Sequence, residues 1–448
     1  MTKRVYIKTF GCQMNDYDSG KMRAQLLKDG YAATDDLDAA DLVIVNTCSV
    51  REKPEQKLHS FLGRVRPMKR QRPMTIAVAG CVAQQEGKAI FDRYKDVDLV
   101  LGPDGVPRIQ ALVREAAARR VLATDFLDAD SYPFATDLDP AAAGRIAAFV
   151  TIQKGCDNRC TFCIVPTTRG VEVSRPSGEI LDEVRRLADS GVQDVTLIGQ
   201  NVNSYGLKVR GEKTFAELLH DVHAVRGIER IRYTTSHPKD MGLDVVEAYR
   251  SLPKLADHLH LPVQSGSDAV LRRMKRFYDR EHYASVTAAL RDARPSLVLT
   301  TDFIVGFPGE TDGDFDRTME LLETERFHGS FSFKYSPRPG TPALRLKDAV
   351  PDETAQRRLE ILQARQNALA LEENRALEGT TQPVLVEGPS AHDEGVVCGR
   401  TSAFKTVNFA GPTTLAGRVV PVTILRGFTN SLRGELSRSP SPSSSGRG

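Results

Sequence analysis

Short apolar runs alternate with amphipathic stretches along the first 123 residues of the chain. Four of these runs are predicted to be strands, and three of them are rich in Val and Ile: Arg4–Phe10, Leu42–Asn46, Thr75–Ala79 and Asp98–Leu101. Stretches with a helical period lie between them, and this order is typical of βα units. The pattern predicts a doubly wound, parallel α/β domain over residues 1–123.

The same alternation occurs six times between residues 145 and 379. Six βα units of this length predict a whole or partial βα (TIM-like) barrel, in which the loops after the strands carry the chemistry. A helix is predicted to begin near Ser177 and to end before Gly191, and a long polar helix over about Pro351–Glu378 closes the zone. The candidate strands are Ala148–Gln153, Asp194–Ile198, Arg230–Thr235, His258–Val263, Leu297–Val305 and Ser330–Tyr335.

Three further segments differ from these two zones in composition. Residues 124–144 contain five aspartates and no basic residue, and we interpret them as an acidic linker. Residues 380–436 are rich in Val, Thr and Gly without a helical period, which predicts a small β-barrel or sheet. The end of the chain, residues 437–448 with the sequence SRSPSPSSSGRG, is of low complexity and is predicted to be disordered.

Length and composition exclude several classes of protein. The chain has 448 residues, of which 40% are hydrophobic and 27% charged, so it is not a disordered, collagen-like or small disulfide-rich protein. The net charge of +3 is small, so an RNA partner would have to bind a local patch. No apolar run reaches the roughly 18 residues of a membrane span, and the first residues lack the apolar core of a signal peptide. We therefore expect a cytoplasmic protein without a membrane partner, in which seven cysteines indicate metal or redox chemistry.

Cys156, Cys160 and Cys163 form a C-x3-C-x2-C motif directly after a predicted strand. Three thiolates within eight residues can converge on one small inorganic centre. A 4Fe-4S cluster held by three cysteines keeps one iron free for an outside ligand. The alternative is a structural zinc site with a distant fourth ligand, because tetrahedral zinc normally takes four protein ligands, or three and a water.

Cys12, Cys48 and Cys81 are far apart in sequence but share a local context. Each lies just past the carboxyl end of a predicted strand, in TFGCQMN, VNTCSVRE and VAGCVAQQ. In a doubly wound sheet these ends open onto one crevice, so the three thiols could form a second three-thiolate site. The alternative is that they are three small buried residues, as cysteines often are. Cys398 stands alone and is assigned no role.

With these motifs the chain resembles the radical S-adenosylmethionine (SAM) methylthiotransferases. Phe162 before the last cysteine of the C-x3-C-x2-C motif matches the radical SAM signature, the other three cysteines match the additional set of this family, and the β-rich end resembles a TRAM domain, an RNA-binding module. The resemblance covers nearly the whole chain except the serine-rich tail. It is strongest to the branch that acts on isopentenyladenosine in tRNA, through NTCSVREKPEQK, QKGCDNRCTFCIVPTTRG, VQSGSD, GFPGET and GRT…NF.

The resemblance implies methylthiolation of C2 of N6-(dimethylallyl)adenosine at position 37 of tRNA. In this family one 4Fe-4S cluster, here on Cys156, Cys160 and Cys163, binds SAM at its open iron. A second 4Fe-4S cluster, here on Cys12, Cys48 and Cys81, is a plausible holder of the transferred sulfur, and two SAM molecules are used. The expected partners are the tRNA anticodon loop, an electron donor such as a flavodoxin or ferredoxin, and a sulfur donor; we expect a monomer.

Further residues of the predicted barrel are candidates for binding SAM or adenine. They follow predicted strands and face the same end of the barrel: Phe162, Gly199, Gln200, Asn201, Ser236, Gln264 and Gly306. His237 and His260 are interpreted as structural histidines, since radical chemistry needs no acid–base residue.

Two surfaces are candidates for RNA. In the TRAM-like zone Arg400, Lys405, Arg418 and Arg426 could hold phosphates, and Phe404 or Phe409 could stack on a base. A second basic group lies in the first zone at Arg51, Arg64, Arg66, Lys69, Arg70 and Arg72, and it could equally be a solvated helix face.

Two other functions stay open at this point. One is a radical SAM enzyme of the same family that acts on threonylcarbamoyl adenosine of tRNA or on a ribosomal-protein aspartate. The other is a zinc-dependent RNA-binding protein without catalysis.

Overall fold

The computed structural model describes residues 2–49, 52–391 and 393–437, and only the backbone of Glu52 and Lys53. Arg51 and, apart from Ser437, the tail that was predicted to be disordered lie outside the described residues. Within the described part, no helix is both long and apolar enough to cross a membrane.

The first unit is built on a six-stranded parallel sheet with the strand order β2-β1-β3-β4-β5-β6. Its strands are β1 Arg4–Phe10, β2 Ala32–Ala33, β3 Leu42–Thr47, β4 Thr75–Gly80, β5 Leu99–Leu101 and β6 Val121–Ala123. All strands are parallel, but β2 is added on one side of β1 and β3 on the other, so the carboxyl ends of β1 and β3 form a topological switch point. The predicted doubly wound domain is confirmed, with the short strands β2 and β6 added to the four predicted ones.

Helices cover both faces of this sheet. One face packs side chains such as Val5 and Leu42 against Met22 and Leu26 of α1 and Leu112 of α5. The other packs Val43 and Val78 against α2 and α4 through residues such as Leu62 and Ile90. The helices of the unit are α1 Gln13–Lys28, α2 Glu52–Gln71, α3 Cys81–Glu86, α4 Lys88–Arg93 and α5 Ile109–Ala116.

The acidic segment 124–144 runs back along the first unit and is irregular except for one 3-10 turn at Pro140–Ala142. Its aspartates contact basic residues of α1: Asp139 pairs with Arg23 at 2.7 Å and Asp137 pairs with Lys28. The segment is therefore fixed to the first unit by several contacts, in addition to connecting two units.

The second unit contains six parallel strands in two three-stranded sheets, β7-β10-β11 and β12-β13-β14. A single bridge between Ile231 and Leu255 connects the two sheets. This confirms the predicted partial barrel. The strands, with the antiparallel pair β8 and β9 beside them, are β7 Ala147–Thr151, β8 Gln153–Lys154, β9 Val173–Ser174, β10 Asp194–Ile198, β11 Arg230–Tyr233, β12 His258–His260, β13 Val298–Val305 and β14 Gly329–Lys334.

The helices of this unit pack on the apolar outer face of the strands. Alternate strand residues such as Val195, Leu197 and Phe303 join one large core with the helices. Helix α7 begins at Ser177, as predicted. The helices are α6 Val165–Arg169, α7 Ser177–Asp189, α8 Phe215–Ala224, α9 Leu243–Ser251, α10 Asp268–Met274, α11 Arg280–Ala293, α12 Asp312–Glu325 and α13 Asp352–Arg375.

The third unit is a closed five-stranded barrel with the strand order β15-β16-β17-β19-β18, as expected for a TRAM-like domain. Phe409 is 1% exposed in its core, so the prediction that Phe409 stacks on a base is wrong. Its inward position follows from the alternation of β17. The strands are β15 Thr381–Pro389, β16 Val396–Thr401, β17 Thr406–Ala410, β18 Val419–Gly427 and β19 Leu432–Leu436.

This third unit packs against the amino-terminal end of the partial barrel. Arg230 begins β11, and its guanidinium donates to the carbonyl of Arg400 at 3.1 Å. The ring of Phe404 lies 4.1 Å from the guanidinium of Arg232 and 5.3 Å from the ring of His258, the first residue of β12. The third unit and the carboxyl-end loops therefore lie at opposite ends of the barrel.

Candidate active site

Three thiols of the first unit lie at the carboxyl edge of adjacent strands. Cys12 caps α1 directly after β1, Cys48 follows β3, and Cys81 begins α3 directly after β4. Strands β1, β3 and β4 are neighbours, so the three cysteines share the edge next to the switch point. The thiols of Cys12 and Cys48 are in hydrogen-bonding contact. The structure therefore brings together residues that are up to 69 positions apart in the sequence.

Two asparagines and a glycine shape this edge. Asn46 donates to the carbonyl of Asn15 at 2.9 Å, and Asn15 donates to Asn46 Oδ1 at 2.9 Å. Asn15 Oδ1 in turn accepts from the Cys12 thiol at 3.3 Å. Gly80 has a φ of +92°, and a Cβ there would clash with Asn46 Oδ1 and lie 2.7 Å from the Thr47 carbonyl. Only glycine lets β4 approach β3 this closely beside Cys81.

Arg169 of the second unit reaches into this thiol group. It is 5% exposed, hydrogen-bonds the Cys81 thiol and forms a 2.8 Å ion pair with Asp18 of α1. The hydrogen bond with Cys48 lowers the pKa of Cys12 to about 6, and the charge of Arg169 contributes to this shift. Burial raises the pKa of Cys81, and Arg169 opposes this effect. A buried cation thus favours the thiolate forms that an iron–sulfur cluster or another metal centre requires.

Cys156, Cys160 and Cys163 lie in the loop between β8 and α6. Thr161 fixes this loop to the last turn of α10, because its amide donates to the Met274 carbonyl at 3.0 Å and its hydroxyl to the Arg273 carbonyl at 2.9 Å. The amide of Cys163 donates to the carbonyl of Cys160 at 3.1 Å, which tightens the turn. The three thiols are close enough for each to influence the charge of another.

Cys156 and Cys160 are buried, Cys163 is partly buried, and a cationic side chain, Arg276, contacts the group. Burial raises the pKa of Cys156 to about 11 and that of Cys163 to about 12, and the charge of Cys160 adds to both shifts. Arg276 is buried and donates to Cys160 Sγ at 3.4 Å and to the Pro262 carbonyl at 3.0 Å. A bound metal centre would overcome these raised pKa values, since it holds thiolates directly. The donor set therefore fits a cluster with three cysteine ligands.

Among the predicted SAM residues after β10 and β11, Gln200 contacts this loop directly. Gln200 accepts a 2.5 Å hydrogen bond from the amide of Gly155, the residue before Cys156, and Gly199 precedes it. Asn201 donates to Asp240 at 2.8 Å, while its Oδ1 is buried without a partner among the described residues. The hydroxyl of Ser236 is buried and unpartnered in the same sense. Unpartnered buried polar atoms of this kind are what a polar ligand would satisfy.

The other predicted SAM residues have backbone or packing roles in this structure. Gln264 has a φ of +74°, and its amide donates to the Asp302 carbonyl at 2.8 Å. Gly306 has a φ of +71°, and its amide donates to the buried carboxylate of Glu310 at 2.7 Å. Phe162 packs against an apolar cluster that includes Phe307. Contact of these residues with SAM stays a prediction.

His237 and His260, which were interpreted as structural, both contact neighbouring residues, while His237 Nε2 is buried without a partner among the described residues. Burial lowers the pKa of His237 to about 2, so the ring is neutral, and its amide donates to Asn203 at 2.9 Å. His260 lies 3.3 Å from Asp302 and 3.0 Å from the Thr300 hydroxyl. These contacts agree with structural roles.

Several residues that were predicted to bind RNA are engaged within the protein. Arg400 pairs with Glu387 at 3.0 Å and lies over the ring of Phe404. Burial lowers the pKa of Lys405 to about 8. Arg418 and Arg426 are exposed. The basic group of the first unit is largely engaged as well. Arg66 pairs with Asp96 at 2.7 Å, and Lys69 pairs with Asp98. Arg72 donates to the Ala40 carbonyl and Arg64 lies over the ring of Phe61, whereas Arg70 is largely exposed.

The sequence reasoning missed Arg169, Arg276, Asn15 and Asn46. Arg169 lies in the PTTRG segment behind the last cysteine, and Arg276 lies in MKRFY. Both segments are visible in the sequence, but the partners of these arginines are far away: Asp18 is 151 residues from Arg169, and Cys160 is 116 residues from Arg276.

Family models match three consecutive stretches of the chain. Residues 4–102 match a family described as Uncharacterized protein family UPF0004, residues 150–322 match the radical SAM superfamily, and residues 375–437 match the TRAM domain. The radical SAM superfamily implies a 4Fe-4S cluster and SAM.

Solved structures share the fold at low sequence identity. TsrM, a radical SAM methyltransferase from Kitasatospora setae, superposes with a TM-score of 0.56 at 12% identity, covering 87% of this chain and 79% of TsrM. OxsB, a cobalamin-dependent radical SAM enzyme, gives 0.52 at 12% identity, covering 81% and 56%.

Curated relatives are similar over nearly the full length. A tRNA-2-methylthio-N(6)-dimethylallyladenosine synthase of Geobacter metallireducens is 49% identical over 437 residues, which cover 97% of this chain and 98% of the relative. A protein of the same name from Anaeromyxobacter dehalogenans is 51% identical over 442 residues, covering 97% and 94%. The chain therefore belongs to the tRNA-2-methylthio-N(6)-dimethylallyladenosine synthases, a family of radical SAM methylthiotransferases.

Proposed function

We propose that this protein methylthiolates C2 of N6-(dimethylallyl)adenosine at position 37 of tRNA, using two 4Fe-4S clusters and two molecules of SAM. The observation that carries the proposal is the pair of three-thiol groups, one past strand ends in each of two adjoining units, with Arg169 of the second unit in contact with the thiols of the first. Relatives that share about half of the sequence carry the corresponding name.

In this proposal Cys156, Cys160 and Cys163 hold the cluster that binds SAM, and Cys12, Cys48 and Cys81 hold the second one. The two clusters with SAM supply the one-electron and sulfur chemistry that an unactivated C–H bond at C2 requires. The chain positions and shields these groups. Arg276 and Arg169 place a buried cation beside each thiol group.

Polar groups at the carboxyl end of the barrel, where the Cys156–Cys163 loop lies, would orient SAM. The unpartnered Asn201 Oδ1 and Ser236 hydroxyl are buried just past the carboxyl ends of β10 and β11, where Asn201 Oδ1 could accept from, and the Ser236 hydroxyl could bond to, the amino acid part of SAM. Gln200 holds the backbone before Cys156 in place through its hydrogen bond from Gly155. Phe162, Gly199, Gln264 and Gly306 complete the candidate set at the same end of the barrel.

The proposal includes partners and a cellular location. The tRNA anticodon loop is the substrate, an electron donor such as a flavodoxin or ferredoxin reduces the SAM-binding cluster, and a separate donor supplies sulfur. The protein acts as a monomer in the cytoplasm.

Metal analysis separates this proposal from a zinc-dependent RNA-binding protein. Protein purified without oxygen is expected to contain about eight irons and eight acid-labile sulfides per chain if both thiol groups hold four-iron clusters. About one zinc and no sulfide would contradict the proposal.

Nucleoside mass spectrometry identifies the substrate. In tRNA from a strain that lacks this protein, we expect 2-methylthio-N6-(dimethylallyl)adenosine to disappear and N6-(dimethylallyl)adenosine to accumulate. Loss of a methylthio group from threonylcarbamoyl adenosine, or from a ribosomal protein, would instead assign the chain to another branch of the family.

A further inference from the structure

The third unit lies at the wrong end of the barrel to hold RNA directly over the thiols. It contacts Arg230 and His258 at the start of their strands, while Cys156–Cys163 lie past the end of β8. If the proposed function is correct, the reacting base must reach the carboxyl end. Some of the RNA contacts are then expected from the barrel's own carboxyl-end loops.

One of these loops, Lys275–Tyr278, has an unusual backbone. Lys275 ends α10 in a left-handed conformation with φ +56°, and Phe277 is left-handed as well, with φ +57°. A bulky aromatic residue rarely adopts a positive φ, because its Cβ crowds the backbone. Such strain persists only where surrounding contacts impose it, and it concentrates at functional sites.

The contacts that impose this backbone are clear in the structure. Arg276, between the two left-handed residues, is buried and bonds to Cys160 Sγ and to the Pro262 carbonyl. The hydroxyl of Tyr278 donates to the Val263 carbonyl at 2.8 Å. The loop is thereby fixed to the thiol loop through Arg276 and to the segment that follows β12 through Tyr278.

The same backbone turns Phe277 outward. Its side chain is 70% exposed, although it follows a residue that contacts the thiols. Two neighbouring cations, Arg272 and Lys275, are also exposed, and neither has an acidic partner among the described residues. Other arginines nearby are paired, such as Arg280 with Glu320 at 3.3 Å. The surface beside the thiol loop therefore combines a free aromatic ring with free positive charge.

We propose that this surface, Arg272, Lys275 and Phe277, binds the RNA substrate: the Phe277 ring stacks on a base next to the reacting nucleotide, and the two cations contact phosphates. An exposed aromatic ring flanked by cations is the general means by which proteins hold single-stranded nucleic acid. The proposal rests on the proposed function and identifies which surface serves it.

An acidic electron-donor protein could also be attracted to a basic surface. RNA is favoured because C2 of the reacting adenine must reach SAM at this end of the barrel. An electron donor needs only to approach the cluster. The ring of Phe277 also offers a flat stacking face, which a base can use directly.

Binding of an anticodon stem–loop that contains dimethylallyladenosine tests the proposal. The full-length protein with its clusters is titrated with labelled RNA, as wild type and as Phe277→Ala, Phe277→Gly and Phe277→Tyr. We expect affinity to fall about five- to 150-fold in the Ala and Gly variants, the range for loss of one stacked base, and to be retained in the Tyr variant. Lys275→Gln should lessen the slope of log affinity against log salt by about 0.7–0.9.

The Gly variant separates binding from folding. Glycine adopts a positive φ without strain, so Phe277→Gly should equal or exceed the wild type in thermal stability while binding RNA more weakly. Iron content is measured in every variant so that affinities are compared at equal cluster loading. Unchanged affinity in Phe277→Gly would overturn the proposal.

A matched variant lies in the third unit. Phe428 is 40% exposed and its ring is 5.2 Å from Arg426, so it offers similar chemistry at the other end of the molecule. A larger loss of affinity in Phe428→Ala than in Phe277→Ala would overturn the proposal, as would slower reduction by a flavodoxin with normal RNA binding in the Phe277 variants. A wild-type protein that binds no tRNA would instead contradict the proposed function itself.

Discussion

At the scale of single residues, Gly80 decides how closely β4 approaches β3 beside the thiols. Gly80→Ala should lower the free energy of unfolding by about 1–3 kcal/mol, because alanine resists the positive φ and its Cβ would clash with Asn46. Denaturant unfolding measures the change. Gly63→Ala is the control, since Gly63 lies in α2 with open space around it. This substitution should raise the free energy of unfolding by about 0.5–1 kcal/mol. Equal effects of the two substitutions would contradict this account.

Arg169 sets the charge around Cys12 and Cys81. The Cys12 pKa is lowered to about 6 first by Cys48 and then by Arg169, so removing either should move it upward. In cluster-free protein, the pH at which alkylation of Cys12 is half-maximal should rise in Arg169→Gln, rise more in Cys48→Ala, and change less in Arg169→Lys. Mass spectrometry of the Cys12 peptide after iodoacetamide treatment gives these profiles.

A control for Arg169 comes from α1, the helix that Cys12 caps. Arg23 of α1 forms an ion pair with Asp139 but is not among the groups that shift the pKa of Cys12. Arg23→Gln should therefore leave the alkylation profile of Cys12 in place. A profile that moves equally in Arg23→Gln and Arg169→Gln would show a general loss of structure and not a local charge effect.

At the scale of elements, the turn between β16 and β17 joins the third unit to the barrel. Lys405 in this turn is largely buried, and burial lowers its pKa to about 8, against about 10.4 in an unfolded chain. The unfolded state therefore binds more protons than the folded state between about pH 8 and 10.4, so stability should rise with pH across this window. Lys405→Met should flatten this rise and increase stability below pH 8.

Thermal unfolding at several pH values checks this expectation. Lys347→Met is the control, because Lys347 is exposed and should leave the pH dependence unchanged. An identical rise between pH 8 and 10 in the wild type and in Lys405→Met would rule out the buried ammonium as its cause.

The elements also show what the sequence could predict. Strands such as Asp194–Ile198 were predicted to the residue, because Val195, Leu197 and Ile198 form a short β-prone segment bounded by glycines on both sides. The strands β2, β8 and β9 have two residues each, and so short a segment carries no period. That six cysteines lie past the ends of strands was also predictable, because each of the two sets comes after predicted strands in the sequence.

Contacts made through tertiary packing could not be predicted in this way. Phe404 and Phe409 are five residues apart and look alike in sequence, but Phe409 points into the barrel core and Phe404 projects onto Arg232. The difference depends on strand register and on docking between units. Arg169 and Arg276 were missed for a similar reason, since each binds a residue more than 100 positions away.

At the scale of the whole molecule, buried ion pairs hold the first two units together. Lys154 of β8 pairs with Asp104 of the first unit at 2.6 Å, and Lys21 of α1 pairs with Glu183 of α7 at 2.8 Å. These four side chains are at most 8% exposed. Buried pairs tolerate little displacement, because a separated charge is left without solvation. The relative position of the two thiol groups is thus fixed by the interface as well as by Arg169.

Each thiol group is also held by contacts of its own, so we expect that the functions of the two groups can be separated by substitution. Cys160→Ala should abolish both SAM cleavage and methylthiolation, because SAM would lose the cluster that binds it. Cys48→Ala should keep slow, uncoupled SAM cleavage and abolish methylthiolation, since the loop of Cys156–Cys163 is held by its own contacts to Met274 and Arg273. Methionine release, iron content and nucleoside mass spectrometry are measured on the same preparations, and each variant should retain about half of the wild-type iron. The lone Cys398, in the third unit, provides the control: Cys398→Ala should leave the iron content unchanged. Formation of the 2-methylthio nucleoside by Cys48→Ala would exclude the first-unit thiols from sulfur transfer.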